Sequence, residues 1–420
     1  GDHASCHLAA DAPLTPDLAA LAGSVSRHVA TVPSAAQAGP AMREAIAIAT
    51  GPPSGVSSLI VPQDASWGSV DLHDVSQVSA PTIEVDGDAV TDAVAALRGD
   101  AGRVGLLIGG VLRDADLSAA ARLRDATGVP VWIDTFPAVL ESGRGRPTFD
   151  AVPYFPEQAI DALADIDTLL VAGTRAPVAF FGYRSMTGRS SLLAPTARVI
   201  ELCPPGVRAH RGLDPLVAAV APGPSGARAS TDNPVAVPPT GALDTITFGA
   251  MVAALVPEGS IVVNEAATSG LGWAIAAGGA APHETFSLTG GAIGQGLPAA
   301  LGASIAAPDR PVVALQADGS GLYTLQALWT MAREQCDVTV LVCANRAYRI
   351  LQMEMHRTGN DDATPEAKAM FDLTSPAPDW VSLARGFGVE AMVAETLDQV
   401  ADGLRRGLSS DGPFLVEVLL

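Results

Sequence analysis

The stretch that decides the fold is "PVVALQADGSGLYTLQALWTMAREQCDVTVLVCANRAYRIL", residues 311–351. Its first apolar run predicts a strand over 311–317, which ends at Asp318. A second apolar run predicts a strand over 338–344, which ends at Asn345. Each strand therefore delivers one oxygen-bearing side chain at its carboxyl end.

The segment between these strands predicts a helix from about Tyr323 to Glu334, with Leu325, Leu328 and Trp329 on one face. A strand, a helix and a second strand form a right-handed βαβ unit, in which the two strands are parallel. Their carboxyl ends then meet at the same edge of the sheet, which is where open α/β sheets bind ligands.

Asp318 and Asn345 are thus predicted to lie side by side at this edge. A carboxylate and an amide oxygen suit Mg²⁺, which prefers oxygen ligands and phosphate co-ligands. Gly319 and Gly321 permit a tight turn and leave backbone N–H groups available to an anion. The pattern predicts a metal-bridged diphosphate site; the alternative is an ordinary turn acid and a strand-end Asn.

Composition excludes several other classes of protein. The chain has 420 residues, of which 48% are hydrophobic, so it has ample material for packed cores. A net charge of −20 makes nucleic acid an unsuitable partner, because phosphate backbones require a basic face. No apolar run is long enough for a membrane span, and the four cysteines form no C-x-x-C pair. A cytoplasmic protein is the expectation.

Apolar strands alternate with helical stretches along the chain, which predicts an α/β protein with parallel sheets flanked by helices. We divide it into a first block over 1–68, a central α/β block over 86–205, a Pro/Gly/Ser-rich linker over 206–241 and a last block over 242–420. A polar run over 69–85 separates the first two blocks.

The segment around Asp318 resembles the thiamine diphosphate motif G-D-G-[SA], followed one strand later by N, with Ala317 in place of the first Gly. The resemblance implies that Asp318, Asn345 and the backbone carbonyl of Ala347 are metal ligands. It also implies that the diphosphate is held at Gly319 and Ser320.

Two further stretches carry the same resemblance. "LTGGAIGQGLPAALGASIA" is similar to the family's Gly-rich segment beside the aminopyrimidine ring. This similarity implies that the Gly291 carbonyl accepts from that ring and that Ile293 props the cofactor into its bent shape; plain core packing is the alternative for Ile293. "VNEAATSG" resembles a strand end that adds diphosphate contacts, with Glu265 and Thr268 as candidates.

"VPYFPEQAI", "APVAFFGY" and "DWVSLARGFGV" extend the likeness along the chain to the acetolactate synthase large-subunit-like and benzoylformate decarboxylase-like branch. The family has a pyrimidine-binding, a central and a diphosphate-binding domain. The first block holds one predicted helix, 35–50, and one strand, "SSLIVP", too little for a sheet domain of its own. We therefore expect the first domain to be incomplete here, with roughly a hundred residues and the family's activating Glu lying upstream of Gly1.

The resemblance implies a 2-keto acid decarboxylase or carboligase that uses thiamine diphosphate and Mg²⁺ and forms a homodimer or tetramer. Ile350, Leu351 and Glu354, on the helix after Asn345, are expected to line the substrate pocket. His3 is the candidate for proton relay near the substrate carboxylate, ahead of His7, because imidazole titrates near neutral pH.

Three alternatives stay open. The chain could be a degenerate or truncated paralogue that keeps fold and assembly only, or an Mg²⁺-dependent binder of another diphosphate. FAD is an open second cofactor: Gly109 and Gly110 follow a central strand, but no G-x-G-x-x-G is present.

Overall fold

The computed structural model describes most of the chain: residues 2–51, 54–70, 85–183, 186, 191–221, 233–360 and 362–420. Most of the polar run over 69–85, which separates the first two blocks, lies outside these ranges. Among the helices described, none combines the length and the apolar character that a membrane crossing requires.

The first block is a small parallel two-stranded sheet with helices packed beside it. The helix predicted over 35–50 is present with those bounds. The short strand "HVAT" was not predicted, because four residues with polar side chains at both ends give little periodicity. The elements are α1 (Leu18–Gly23), β1 (His28–Thr31), α2 (Ala35–Thr50), β2 (Ser57–Ile60) and α3 (Gln63–Trp67).

The central block forms a five-stranded parallel sheet with helices around it. The predicted linker over 206–241 is wrong in its first part, because α7 occupies 209–220 there. The buried side chains of α7, among them Leu213 and Leu216, pack in the same core as those of α5. The helices are α4 (Gly87–Gly99), α5 (Asp114–Thr127), α6 (Pro156–Ala162) and α7 (Ala209–Val220). The strands are β3 (Val104–Ile108), β4 (Val111–Leu112), β5 (Val131–Ile133), β6 (Val139–Ser142), β7 (Asp150–Ala151), β8 (Thr168–Ala172) and β9 (Arg198–Cys203).

The last block supplies most of an eight-stranded sheet. Its strands are β10 (Ile261–Glu265), β11 (His283–Ser287), β12 (Val312–Ala317), β13 (Val338–Ala344), β14 (Glu390–Ala394) and β15 (Phe414–Leu419). Its helices are α8 (Thr245–Leu255), α9 (Leu271–Ala276), α10 (Gly296–Ala306), α11 (Asp318–Gly321), α12 (Ala327–Arg333), α13 (Arg349–Arg357), α14 (Pro365–Ala369), α15 (Trp380–Gly386) and α16 (Leu397–Leu408).

The order of this sheet is β14-β15-β13-β12-β10-β11-β6-β4. The strands of the last block are mutually parallel, whereas β6, from the central block, pairs with β11 in the antiparallel direction. Both faces are covered: Phe248 and Leu404 lie in the core on one face, and Leu328 and Trp380 lie in the core on the other. This burial explains the near-continuous apolar strands.

The helix predicted from Tyr323 to Glu334 is wrong in its first turn and in one of its face residues. The residues after Gly321 form successive turns, and α12 begins only at Ala327. Leu328 is fully buried, but Trp329 is 50% exposed and its ring lies under the guanidinium of Arg333. The two flanking strands match their predicted bounds closely, and they pair in parallel.

Candidate active site

Asp318 lies at the carboxyl end of β12 and is 1% exposed. Its Oδ1 accepts the backbone N–H of Gly319 at 2.9 Å, and its Oδ2 accepts that of Arg346 at 2.8 Å. Burial raises the pKa of this carboxyl, and the two N–H donors only partly oppose the shift. A buried carboxylate of this kind would be stabilised by a bound cation.

Asn345 and Ala347 follow the end of β13, and we call residues 345–347 the Asn345 turn. Because Ala317 pairs with Cys343, this turn lies beside Asp318, as predicted. Asn345 Oδ1 accepts the Ala347 N–H at 3.1 Å. Within the described part of the chain, no hydrogen-bond donor reaches the carbonyl oxygen of Ala347, so it is available to a ligand. The structure thus brings together the three predicted metal-ligand residues.

Gly319 and Ser320 form the buried start of α11. A Cβ at Gly319 would lie 2.5 Å from the ring of Tyr348, so only glycine fits beneath that ring. The Ser320 hydroxyl accepts from the Gln316 side chain at 2.6 Å and donates to the Ala317 carbonyl at 3.2 Å. That hydroxyl is therefore occupied within the protein, and the Ser320 backbone is left as the group that could face a diphosphate.

Glu265, at the end of β10, is buried, and its carboxylate accepts the backbone N–H groups of Gly294, at 2.5 Å, and Gly296. It therefore fixes the Gly-rich segment in place. Thr268 lies partly buried in the 3-10 turn Ala267–Gly270 that follows the same strand. The two residues predicted to add diphosphate contacts are thus near each other, but the Glu265 side chain is bound to the protein.

Ile293 lies in the Gly-rich segment with its side chain partly exposed to solvent. Gly291 is exposed with a φ of 67°, and the Gly294 carbonyl accepts the Thr324 hydroxyl at 2.8 Å. With Gly294 held on one side by Glu265 and on the other by Thr324, the neighbouring Ile293 side chain is 41% exposed. Plain core packing does not describe this position; the side chain is available to a ligand or a partner.

The helix α13 carries the predicted pocket residues. Ile350 is partly buried and Leu351 is exposed. Glu354 turns to the central block, where it accepts the Tyr183 hydroxyl at 3.0 Å. Burial, followed by this bond to Glu354, raises the pKa of Tyr183 to about 12, so the phenol remains a donor at neutral pH. Arg357, which pairs with Glu157 at 2.8 Å, completes the contact.

His3 lies in the first block, where its Nε2 is 3.2 Å from the Pro13 carbonyl and its ring makes an edge contact with His7 at 5.5 Å. Among the described residues, no hydrogen bond or ring contact joins it to the residues around Asp318. In the central block, a Cβ at Gly109 would lie 1.8 Å from Asp134 Oδ2. That close approach explains the glycine without a flavin.

Sequence reasoning missed the support of the Asn345 turn. Arg346 binds Glu417, which is 2% exposed, and the Pro378 carbonyl. The sequence signal was a single acid within the apolar strand "FLVEVL". An acid there needs a partner, but the partner's identity depends on a contact between distant parts of the chain.

A family model described as Thiamine pyrophosphate enzyme, C-terminal TPP binding domain, matches residues 262–418. Over 421 aligned positions the chain is 40% identical to the acetolactate synthase large subunit-like protein IlvX of Mycobacterium tuberculosis, spanning 100% of this chain and 80% of that protein. It is 30% identical to a benzoylformate decarboxylase of Pseudomonas aeruginosa, over 60% of this chain and 48% of that enzyme.

Among solved structures, the thiamine diphosphate-dependent 4-hydroxybenzoylformate decarboxylase of Rhodococcus jostii matches with a TM-score of 0.80. The match spans 99% of this chain and 80% of that one at 23% identity, and it confirms the α/β fold. The likeness to IlvX along the whole of this chain and the family model over the last block lead to one conclusion: the chain belongs to the thiamine diphosphate-dependent enzyme family, with acetolactate synthases and benzoylformate decarboxylases among its relatives.

Proposed function

We propose that this protein is a thiamine diphosphate- and Mg²⁺-dependent enzyme that acts on a 2-keto acid, as a decarboxylase or as an acetolactate synthase-like carboligase. The observation that carries the proposal is the meeting of Asp318, Asn345 and Ala347 at the carboxyl ends of neighbouring parallel strands.

The residues fit an Mg²⁺ ion. A carboxylate, a side-chain amide oxygen and a backbone carbonyl form an all-oxygen donor set, which is what Mg²⁺ prefers. Asp318 is buried with a raised pKa, and the Ala347 carbonyl accepts no hydrogen bond from the described residues, so both would gain from a cation. Asp318, Asn345 and Ala347 would hold the metal, and the backbone at Gly319 and Ser320 would face the diphosphate.

Thiamine diphosphate, when bound, supplies the nucleophilic carbon and the electron sink for loss of CO₂ from a 2-keto acid. The chain's residues orient it and control protons. The Gly291 carbonyl would accept from the ring amine, and the exposed Ile293 would brace the ring. Ile350 and Leu351 would form an apolar wall of the substrate pocket. In the oligomer that we propose, the site would be shared between subunits, and His3 of the partner subunit would exchange a proton near the substrate carboxylate.

The assembly that we propose is a homodimer or tetramer in the cytoplasm. Three large apolar side chains on α8 and α9, those of Ile246, Leu271 and Ile275, are about half exposed or more, as expected of a surface covered by another subunit. Four free thiols, including the exposed Cys6, suit a reducing compartment. Sedimentation equilibrium of the full-length protein measures the stoichiometry.

Binding is tested by thermal denaturation with and without thiamine diphosphate and Mg²⁺. Ligand at about 100 times Kd should stabilise the protein by about 2.7 kcal/mol. Asp318→Ala should abolish the stabilisation. Asp309→Ala, an exposed acid just before the opposite end of β12, should keep it. Stabilisation that survives Asp318→Ala would refute the metal assignment.

Turnover is tested with pyruvate and benzoylformate on the full-length protein. An aldehyde and CO₂ would identify a decarboxylase, and an acetolactate-type product would identify a carboligase. Tight cofactor binding without CO₂ release from either acid, or from a wider panel, would instead favour the non-catalytic paralogue.

A further inference from the structure

The Asn345 turn has a backbone conformation that needs support. Arg346, between the two proposed ligands Asn345 and Ala347, has a φ of 55°. Residues with a Cβ rarely adopt this left-handed region unless their surroundings hold them there. Glycine would adopt this conformation freely, so the presence of an arginine indicates that its side chain is needed here.

Four contacts hold Arg346 in place. Its backbone N–H donates to Asp318 Oδ2 at 2.8 Å, and its backbone carbonyl accepts the Leu373 N–H at 2.9 Å. Its guanidinium donates to Glu417 Oε1 at 2.5 Å and to the carbonyl of Pro378. Backbone and side chain are thus both fixed.

Glu417 is the one acid of β15, and it lies opposite Val342 of β13. At 2% exposure, its carboxylate is held away from water with Arg346 as its ion-pair partner. Removing one member of such a pair leaves a buried charge uncompensated. This pair therefore connects β15, which lies between β14 and β13 in the sheet, to the Asn345 turn.

We infer that Glu417 and Arg346 are positioning residues, which set the directions of the Asn345 amide oxygen and the Ala347 carbonyl relative to Asp318. The inference rests on the proposed Mg²⁺ site. Neither side chain is a proposed ligand; both act through the Asn345 turn. Because Mg²⁺ demands near-ideal octahedral geometry and Ca²⁺ tolerates distortion, loosening the turn should weaken Mg²⁺ binding more than Ca²⁺ binding.

The test is Glu417→Gln, which keeps the shape of the side chain and removes its charge. Metal binding in the presence of thiamine diphosphate is followed by titration calorimetry, with Mg²⁺ and with Ca²⁺. We expect Mg²⁺ affinity to fall about tenfold or more, as for other partners of metal ligands, and Ca²⁺ affinity to fall clearly less. Arg346→Lys keeps the positive charge but lacks the planar guanidinium, so its Mg²⁺ affinity should lie between those of the wild type and Glu417→Gln. If Glu417→Gln does not fold, the same measurement on Arg346→Lys tests the inference.

The matched control is Glu390→Gln on the neighbouring β14, where Glu390 forms an exposed ion pair with Arg406 at 2.8 Å. It should bind both ions as the wild type does. Equal losses for Mg²⁺ and Ca²⁺, or unchanged Mg²⁺ affinity in Glu417→Gln and Arg346→Lys, would overturn the positioning role alone. A wild type that binds no Mg²⁺ would overturn the proposed function and this inference together.

Discussion

The carboxylate of Asp318 and the backbone N–H of Arg346 are joined by a 2.8 Å hydrogen bond that links the ends of β12 and β13. The bond ties a buried acid to the turn that carries the other two proposed metal ligands. The acid's protonation, the backbone of the turn and the occupancy of the metal site should therefore depend on one another.

The first prediction concerns pH. Burial raises the pKa of Asp318 above its unfolded value of 3.8. Between the two values the native state holds more protons than the unfolded state, so the stability of metal-free protein falls as pH rises through that window. Relative to Asp318→Asn, which cannot titrate, the wild type should lose stability on going from about pH 3.8 to neutral pH.

Urea denaturation over a pH series, without and with Mg²⁺, measures this difference. Because the metal binds the ionised carboxylate, saturating Mg²⁺ should remove or reverse the loss in the wild type only. Parallel pH profiles of the two metal-free proteins would show that Asp318 titrates as it does in the unfolded chain.

The second prediction concerns Glu265→Gln. The carboxylate accepts two backbone N–H groups, and an amide would turn its own N–H₂ toward one of them. We expect a loss of about 1–3 kcal/mol in the free energy of unfolding, the cost of an unsatisfied buried donor. The exposed Glu258→Gln is the control, and it should change stability by less than about 0.5 kcal/mol. Equal stabilities of the two variants would mean that Glu265 does not fix the Gly-rich segment.

A third prediction separates folding from binding at Ile293. Because its side chain is 41% exposed, Ile293→Ala should leave the stability of cofactor-free protein within about 0.5 kcal/mol. The fully buried Leu297→Ala, four residues on, should cost about 2–5 kcal/mol. Thiamine diphosphate affinity, measured by fluorescence titration, should fall clearly for Ile293→Ala. Unchanged affinity would remove Ile293 from the proposed site.

A fourth prediction concerns the docking of α13 on the central block. Tyr183→Phe removes the hydroxyl that Glu354 accepts and keeps the ring beneath Arg357. We expect faster amide hydrogen exchange in α13, because the helix loses one of its contacts across the block boundary. Tyr323→Phe, at a 60% exposed tyrosine of the last block, is the control. If amide exchange in α13 is equally fast in Tyr183→Phe and in the control, the contact between α13 and the central block depends on Arg357 and its aromatic contacts instead.

The sequence was sufficient to predict elements that depend on a local pattern, and residues that parallel strands bring to the same edge of a sheet. The run of β13 is apolar apart from Thr339 and the thiol of Cys343 up to Asn345, so the strand and the neighbouring position of Asp318 both followed from it. Two pairings could not be predicted from the sequence: Glu265 with Gly294, and Arg346 with Glu417. In each pair the partner lies far away along the chain and shows no local signal. The helix α7 was missed because it contains Gly212 and Pro215, which resemble the Gly- and Pro-rich sequence of the linker that follows.

The antiparallel pairing of β6 with β11 bears on how this protein can be divided. A fragment cut at 242, where the sequence suggests a clean boundary, would expose β11 as an unpaired edge and would leave Glu284 without Arg113. We therefore expect the unit that unfolds cooperatively to include central strands as well as the last block.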